Sequence, residues 1–247
     1  MRSLSKKEVR AADRCAIERL GAAGVVLMEN AGRGAADAIE QFLGGAGGKR
    51  VAIVAGAGNN GGDGFVIARH LSLRGANVTT FLVTPADKVA GDALVNLDIL
   101  RNAGGDVQEV VAEALAGLGE ELAAFDVVVD AVGGTGIAGE LRGELAEAVE
   151  QINAAGRPVV AVDIPTGLDC DTGQAAGPAV RAELTVTFAA PKVGFSAEGA
   201  SDYTGRVVLA DIGVDIETVL GLMPERAERT ARRRNSARTR DLLPPPT

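Results

Sequence analysis

The sequence predicts an α/β fold, a doubly wound and mostly parallel sheet with helices on both faces. Apolar runs such as Val51-Ala52-Ile53-Val54 and Val159-Val160-Ala161-Val162 show no polar alternation, as strands buried on both faces should. Between such runs lie segments whose apolar residues recur at helical spacing. The strand–helix order repeats along most of the chain, the pattern of right-handed crossovers in a parallel sheet. No internal repeat is visible.

The elements follow in order. Residues 5–20 read as a helix, with Ser5 as N-cap and Glu8 three residues on, closed by Gly21 and Gly24. Residues 25–43 read as a second helix with a glycine-rich exit at 44–48. Alternation then begins: strand 50–55, helix 63–74, strand 78–83, helix 90–102, and a weaker strand at 106–111. Helix 112–124, strand 126–130, helix 140–154 and strand 158–163 continue it, and strands 183–188 and 206–209 close it. Residues 1–223 read as one domain. Residues 224–247, with Arg232-Arg233-Arg234 and a Pro244-Pro245-Pro246 ending, read as a flexible or surface-draped tail.

At 247 residues and 47% apolar the chain is expected to bury a sizeable core, and with 3% aromatic and no Trp that core must be mostly Ala, Val, Leu and Ile. A formal charge of −8 argues against a nucleic-acid partner for the globular part, and the arginine run reads as a solvated tail. Two cysteines, Cys15 and Cys170, make no disulfide framework and read as reduced thiols. No apolar run nears the ~18 residues of a membrane span. Residues 1–14 are charged and lack the apolar core of a signal peptide. The cytoplasm is the expected compartment.

The most informative stretch is Gly56-Ala57-Gly58-Asn59-Asn60-Gly61-Gly62-Asp63-Gly64, a glycine-rich turn between a strand and a helix. Such a turn lets a ligand approach the backbone and points free N–H groups and a helix dipole at negative charge. Asn59, Asn60 and Asp63 add side-chain donors and acceptors that a plain dinucleotide fingerprint does not need. Two further loops open at strand carboxyl ends, where ligands of parallel sheets gather: Asp130-Ala131-Val132-Gly133-Gly134-Thr135-Gly136 and Asp163-Ile164-Pro165-Thr166-Gly167. Each begins with an aspartate at the end of an apolar strand, where a carboxylate needs a partner. Each alone reads equally well as a cap; together, facing the edge that carries Asn60, they read better as a shared site. Oxygens of Asn60, Asp130 and Thr166 suit a hard cation, monovalent or divalent. Asp163 suits an organic ligand, as acceptor or general acid/base. Lys192, after the strand at 183–188, suits phosphate binding or proton transfer. His70 lies about two turns into its helix and reads as structural. No spacing suggests zinc, and no G-x-S-x-G elbow supports a serine triad.

These residues together resemble the NAD(P)H-hydrate epimerases, the family of the YjeF N-terminal domain. The resemblance rests on Val26-Leu27-Met28-Glu29-Asn30-Ala31-Gly32, the run from Gly58 to Gly64, Asp130 to Gly136, Asp163-Ile164-Pro165-Thr166-Gly167, Ala190-Pro191-Lys192, and Gly205-Arg206-Val207-Val208 with Asp211-Ile212-Gly213. It implies a Rossmann-like three-layer α/β/α sandwich, often a homodimer. The implied reaction interconverts the R and S forms of NADHX and NADPHX, the hydrated nicotinamide cofactors, at the hydroxyl-bearing C6. A separate dehydratase then repairs the S form. The resemblance implies one K⁺ per subunit on Asn60, Asp130 and Thr166. It implies substrate contacts at Asn59, Asn60, Gly61, Gly62 and Asp63, at Gly134, Thr135, Gly136, Ile137, Ala138, Gly139 and Glu140, and at Asp163. Proton transfer is assigned first to Asp163, then to Lys192. Thr166 stands where the family usually has serine and keeps the ligand oxygen. Gly133 stands where a bulky apolar residue is usual, which is expected to open space beside Asp130. The chain ends where a fused dehydratase would begin, so a stand-alone epimerase is expected.

Besides nucleic-acid binding through the arginine-rich tail at 224–247, two rivals remain at this point. One is a catalytically silent nucleotide-binding or scaffold domain of the same fold, which loss of the loop asparagines or strand-end aspartates would favour. The other is an ordinary nicotinamide oxidoreductase, which would want an acidic residue after the second strand; here Thr84-Pro85 follows.

Overall fold

The computed structural model describes residues 2–137 and 139–223. The tail expected at 224–247, and Ala138 among the expected substrate contacts, lie outside the described residues. Seven strands, β1 (Arg50–Ala55), β2 (Asn77–Leu82), β3 (Asp106–Glu109), β4 (Val127–Ala131), β5 (Val159–Val162), β6 (Leu184–Phe188) and β7 (Arg206–Ala210), form one sheet ordered β3-β2-β1-β4-β5-β6-β7. Every pairing is parallel, so the sheet is more regular than the mostly parallel one expected. The order reverses between β1 and β4, which meet with Val54 opposite Asp130. That seam is the switch point where open α/β sheets bind ligands.

The helices are α1 (Lys6–Leu20), α2 (Gly24–Leu43), α3 (Asn59–Leu73), α4 (Gly91–Asn102), α5 (Leu118–Leu122), α6 (Glu144–Ala154), α7 (Ser201–Thr204) and α8 (Ile216–Leu222). Along β1, Val51, Ile53 and Ala55 pack under α2, α3 and α4, while Ala52 and Val54 pack under α5 and α6. The strand is buried on both faces, which is why its sequence shows no alternation. The capping box of α1 forms as expected: the Glu8 amide donates to Ser5 Oγ and the Ser5 amide donates to Glu8 Oε2. Cys15 and Cys170 are free and buried. Among the described residues no helix is long and apolar enough to cross a membrane.

Three helix boundaries differ from expectation. Residues 112–124 split into a 3₁₀ turn (Ala112–Gly117) and the short α5, because Gly117 and Gly119 weaken a continuous helix. Helix 140–154 begins only at Glu144, since Gly143 before it takes φ 58°, outside the helical region. α3 begins at Asn59 rather than 63, so most of the glycine-rich turn is the first turns of a helix. α8, capped by Asp215 through the amides of Glu217 and Thr218, was not expected at all.

Candidate functional site

The glycines of α3 set the floor of the site. A Cβ on Gly61 would overlap the Gly56 carbonyl oxygen, and one on Gly64 would lie 2.7 Å from Ala131 Cβ. Glycine therefore lets the helix start directly against the ends of β1 and β4. Asn60 and Asp63, three residues apart, then share one face of the first turn, and both are buried.

Beside them, Asp130 at the end of β4 is fully buried. Its Oδ2 accepts from the Thr166 amide (2.8 Å), and its Oδ1 from the Thr166 hydroxyl (2.6 Å) and the Val132 amide (3.2 Å). The Thr166 hydroxyl also lies 2.9 Å from the Gly133 carbonyl oxygen. Burial pushes the Asp130 carboxyl up to about 6, although the Thr166 and Val132 hydrogen bonds oppose that rise. Among the described residues no Lys, Arg or His pairs with it.

Asp163 follows β5 at φ 66°, a left-handed conformation that costs a non-glycine residue roughly 1–2 kcal/mol. Its amide donates to the Val186 carbonyl (2.7 Å) and holds it there. The carboxylate meets Lys192 Nζ at 2.7 Å, with the Thr187 hydroxyl at 3.4 Å. Lys192 is 1% exposed, and its ammonium also donates to the carbonyls of Phe188 (3.0 Å) and Ala190 (3.3 Å). All three of its protons thus have acceptors.

Gly134 joins the two halves: a Cβ there would stand 3.1 Å from Asn60 Oδ1 and 3.2 Å from Asp163 Oδ2. Asn60, Asp63, Asp130, Asp163, Thr166 and Lys192 therefore converge on one rim of the sheet. Asn59, Gly136, Gly139 and Glu140 are exposed at the outer edge, with Thr135 and Ile137 half-buried between. The space expected beside Gly133 is not open, because Ile137 Cδ1 fills it. His70 is structural, as expected: Nε2 lies 2.8 Å from Glu29 Oε1, and Arg69 pairs with the same carboxylate.

The sequence did not single out α1 as part of this site. Leu4 pairs with Lys192, its amide donating to the Pro191 carbonyl (2.8 Å) and its carbonyl accepting from the Val193 amide (3.1 Å). Lys6 Nζ donates to the Ile137 carbonyl (2.5 Å), and Arg10 Nη2 to that of Gly136 (3.5 Å). Asp13, further along α1, is pushed up to about 6 by burial and by the Asp163 charge, with Lys192 opposing. Its side chain still reaches solvent at the rim. Asp63 is pushed well above the carboxylate range by burial, then by Asp163 and Asp13, again with Lys192 opposing. The only signal available was the i, i+4, i+7 spacing of Lys6, Arg10 and Asp13, which puts them on one helix face. Two hollows flank the loop after β4. One of about 290 Å³ is lined by Ile137, Gly139, Leu168 and Thr172, and one of about 440 Å³ by Lys6, Lys7, Arg10 and Arg14. The buried cluster lines neither of them.

A doubly wound parallel sheet with an amide, carboxylates and a buried lysine gathered at its switch point defines an α/β protein that binds small molecules at its strand ends. The profile of the family described as YjeF-related protein N-terminus matches residues 24–194, more than half of the chain, and the chain belongs to that family. It is 46% identical over 212 residues to an NAD(P)H-hydrate epimerase of Rhodopirellula baltica, covering 85% of this chain and 84% of that protein. It is 42% identical over 217 residues to one of Pirellula staleyi, covering 86% and 93%. The bifunctional NAD(P)H-hydrate repair enzyme Nnr of Moorella thermoacetica is 44% identical over 204 residues, which are 82% of this chain but 38% of that enzyme. The crystal structure of yeast ynu0, YNL200c, superposes with a TM-score of 0.71 at 28% identity, covering 79% of this chain and 84% of that one.

Proposed function

We propose that this chain is an epimerase of hydrated NAD(P)H, interconverting the R and S forms of NADHX and NADPHX so that a dehydratase can repair the S form. One observation carries the reading: Asn60, Asp130, Asp163, Thr166 and Lys192 meet at one sheet rim, in a chain 46% identical to a protein named for that activity. The presence of every one of these groups argues against the silent-scaffold rival.

In this reading C6 carries both the hydroxyl and the ring nitrogen. Protonation of the hydroxyl lets the nitrogen lone pair expel it as water, leaving a planar iminium that water re-enters from either face. Asp163 moves the proton. Lys192, with its three donors engaged, holds the Asp163 carboxylate in place and balances its charge. Acidic side chains around the ring stabilise the transient cation. The first turn of α3 offers free amides to the pyrophosphate, and Gly134, Thr135, Gly136 and Ile137 touch the substrate with Asn59 and Asp63 beside it.

The donor chemistry around Asp130 fits K⁺: a carboxylate, a hydroxyl and a carbonyl oxygen lie together, and among the described residues the buried carboxylate has no cationic partner of its own. Asn60, Asp130 and Thr166 would hold the ion, which would supply that missing positive charge and fix the loops after β4 and β5. The same reading carries a homodimer, a cytoplasmic location and a catalytic unit within residues 1–223. Light scattering, cell fractionation and deletion of 224–247 test these in turn.

The deciding experiment supplies purified protein with the R epimer of NADHX and an S-specific dehydratase. Complete recovery of NADH, faster than spontaneous interconversion, is expected. Recovery that stalls at the S fraction would return the scaffold reading.

A further inference from the structure

The hollow of about 440 Å³ beside α1 has the size of a small-molecule pocket, roughly 300–1,000 Å³. Its walls are Lys6, Lys7, Arg10, Ala11 and Arg14 of α1 with Asp171 opposite, four cations and one carboxylate in a chain whose formal charge is −8. Helical spacing puts all five α1 residues on one side of the helix. Asp171 Oδ1 accepts the Lys6 amide at 2.7 Å and fixes the start of that wall. Lys6 Nζ and Arg10 Nη2 reach across to the carbonyls of Ile137 and Gly136. Those acceptors are neutral and cancel neither charge. Among the described residues no carboxylate forms an ion pair with Lys6, Arg10 or Arg14. The hollow is thus bonded at two points to the segment that starts at Gly134, the glycine bordering Asn60 and Asp163. Gly136 is two residues from Gly134, at most about 7.6 Å along the backbone.

In the epimerase reading, on which this inference rests, the two substrates differ by one group, the 2′-phosphate on the adenosine ribose of NADPHX. The nicotinamide end is held at Asp163 and the pyrophosphate at the α3 amides, and neither uses α1. Dinucleotide folds read the adenosine 2′-hydroxyl with an acid after the second strand, where this chain has Thr84-Pro85. We propose that the α1 hollow binds the 2′-phosphate of NADPHX and makes the protein prefer it over NADHX. Arg14 and Lys7 are its charged contacts, the guanidinium suited to a bidentate grip on a phosphate dianion. Lys6 and Arg10 tie the hollow to the 134–137 segment.

The test takes two readouts on the full chain. Steady-state kinetics compares NADPHX with NADHX. Titration calorimetry compares adenosine 2′,5′-bisphosphate with 5′-AMP and needs no turnover. The wild type should favour the 2′-phosphorylated form by at least about tenfold in kcat/KM and in Kd, and added salt should shrink that ratio. Lys7→Gln combined with Arg14→Gln should bring both ratios to within about twofold of unity, with NADHX kinetics unmoved. Arg14→Lys should keep most of the preference, since it keeps the charge. An active wild type indifferent to the 2′-phosphate in either readout overturns the proposal. So does a double variant that keeps the preference, or one that loses both substrates alike. Inorganic phosphate that binds as tightly as the bisphosphate, and is lost in the double variant, would make the hollow a free-phosphate site and overturn its assignment to NADPHX. A parent that prefers the bisphosphate in calorimetry but interconverts neither substrate overturns the epimerase reading and leaves the 2′-phosphate site standing.

Discussion

Asn60 Oδ1 and Asp163 Oδ2 both border Gly134, each just over 3 Å from where a Cβ on that glycine would lie. The amide from α3 and the carboxylate after β5 thus both line the space that a methyl group there would enter. Gly134→Ala should push one of the two oxygens aside by a few tenths of an ångström. Turnover is expected to fall more than about tenfold while stability changes by no more than about 1 kcal/mol. Steady-state kinetics beside a melting curve checks this, and unaltered kinetics would remove the juxtaposition from the chemistry.

Asp163→Asn should abolish most epimerisation, by at least about 100-fold. It also strips a buried ammonium of its counter-charge while two carbonyls remain bound to it. A loss of roughly 2–4 kcal/mol is expected, with the protein still folded. Adding Lys192→Met should return much of that stability without restoring turnover. Denaturant titration of the single and double variants separates the two effects.

The Asp130 carboxyl, raised from 3.8 to about 6, makes stability depend on pH. Between those values the unfolded chain has already lost this proton and the folded chain has not, so stability falls as pH rises through the window and levels above about 6. The contribution of this group is about 3 kcal/mol. Asp13 and Asp63 are also raised and act in the same direction, so only the difference from Asp130→Asn isolates it. In potassium-free buffer that difference should track pH. Added potassium should raise the melting temperature of the wild type above pH 6 and leave Asp130→Asn unmoved.

Ile137 Cδ1 occupies the space a side chain at 133 would take. Gly133→Val alone should cost about 1–3 kcal/mol through overpacking. Paired with Ile137→Ala it should cost clearly less than the sum of the two singles. A double-mutant cycle by thermal melting reads the coupling, and strict additivity would contradict the contact.

The sheet was legible because two-sided burial leaves a direct mark: β1 and β5 are apolar at nearly every position. The strand-end aspartates were legible for the complementary reason, since a carboxylate closing such a run needs an explanation. The start of α3 was misplaced because glycine argues locally against helix, while close approach to Gly56 and Ala131 demands it; that demand is tertiary. Asp13, Lys6 and Arg10 carry no sequence signal beyond a shared helix face. Only the pairing of Leu4 with Lys192, between residues at opposite ends of the fold's sequence, turns that face toward the chemistry. The space at Gly133 was misjudged because the side chain that fills it comes from four residues further on.

That pairing also governs how the protein tolerates handling at its beginning. Leu4 is fully enclosed, so a gene start assigned twenty codons too late would yield a product with a complete sheet and an unlined pocket. Such a product would lack one helix, keep the rest of its secondary structure and fail as a catalyst, and an affinity tag fused at the amino terminus would press on the same seam.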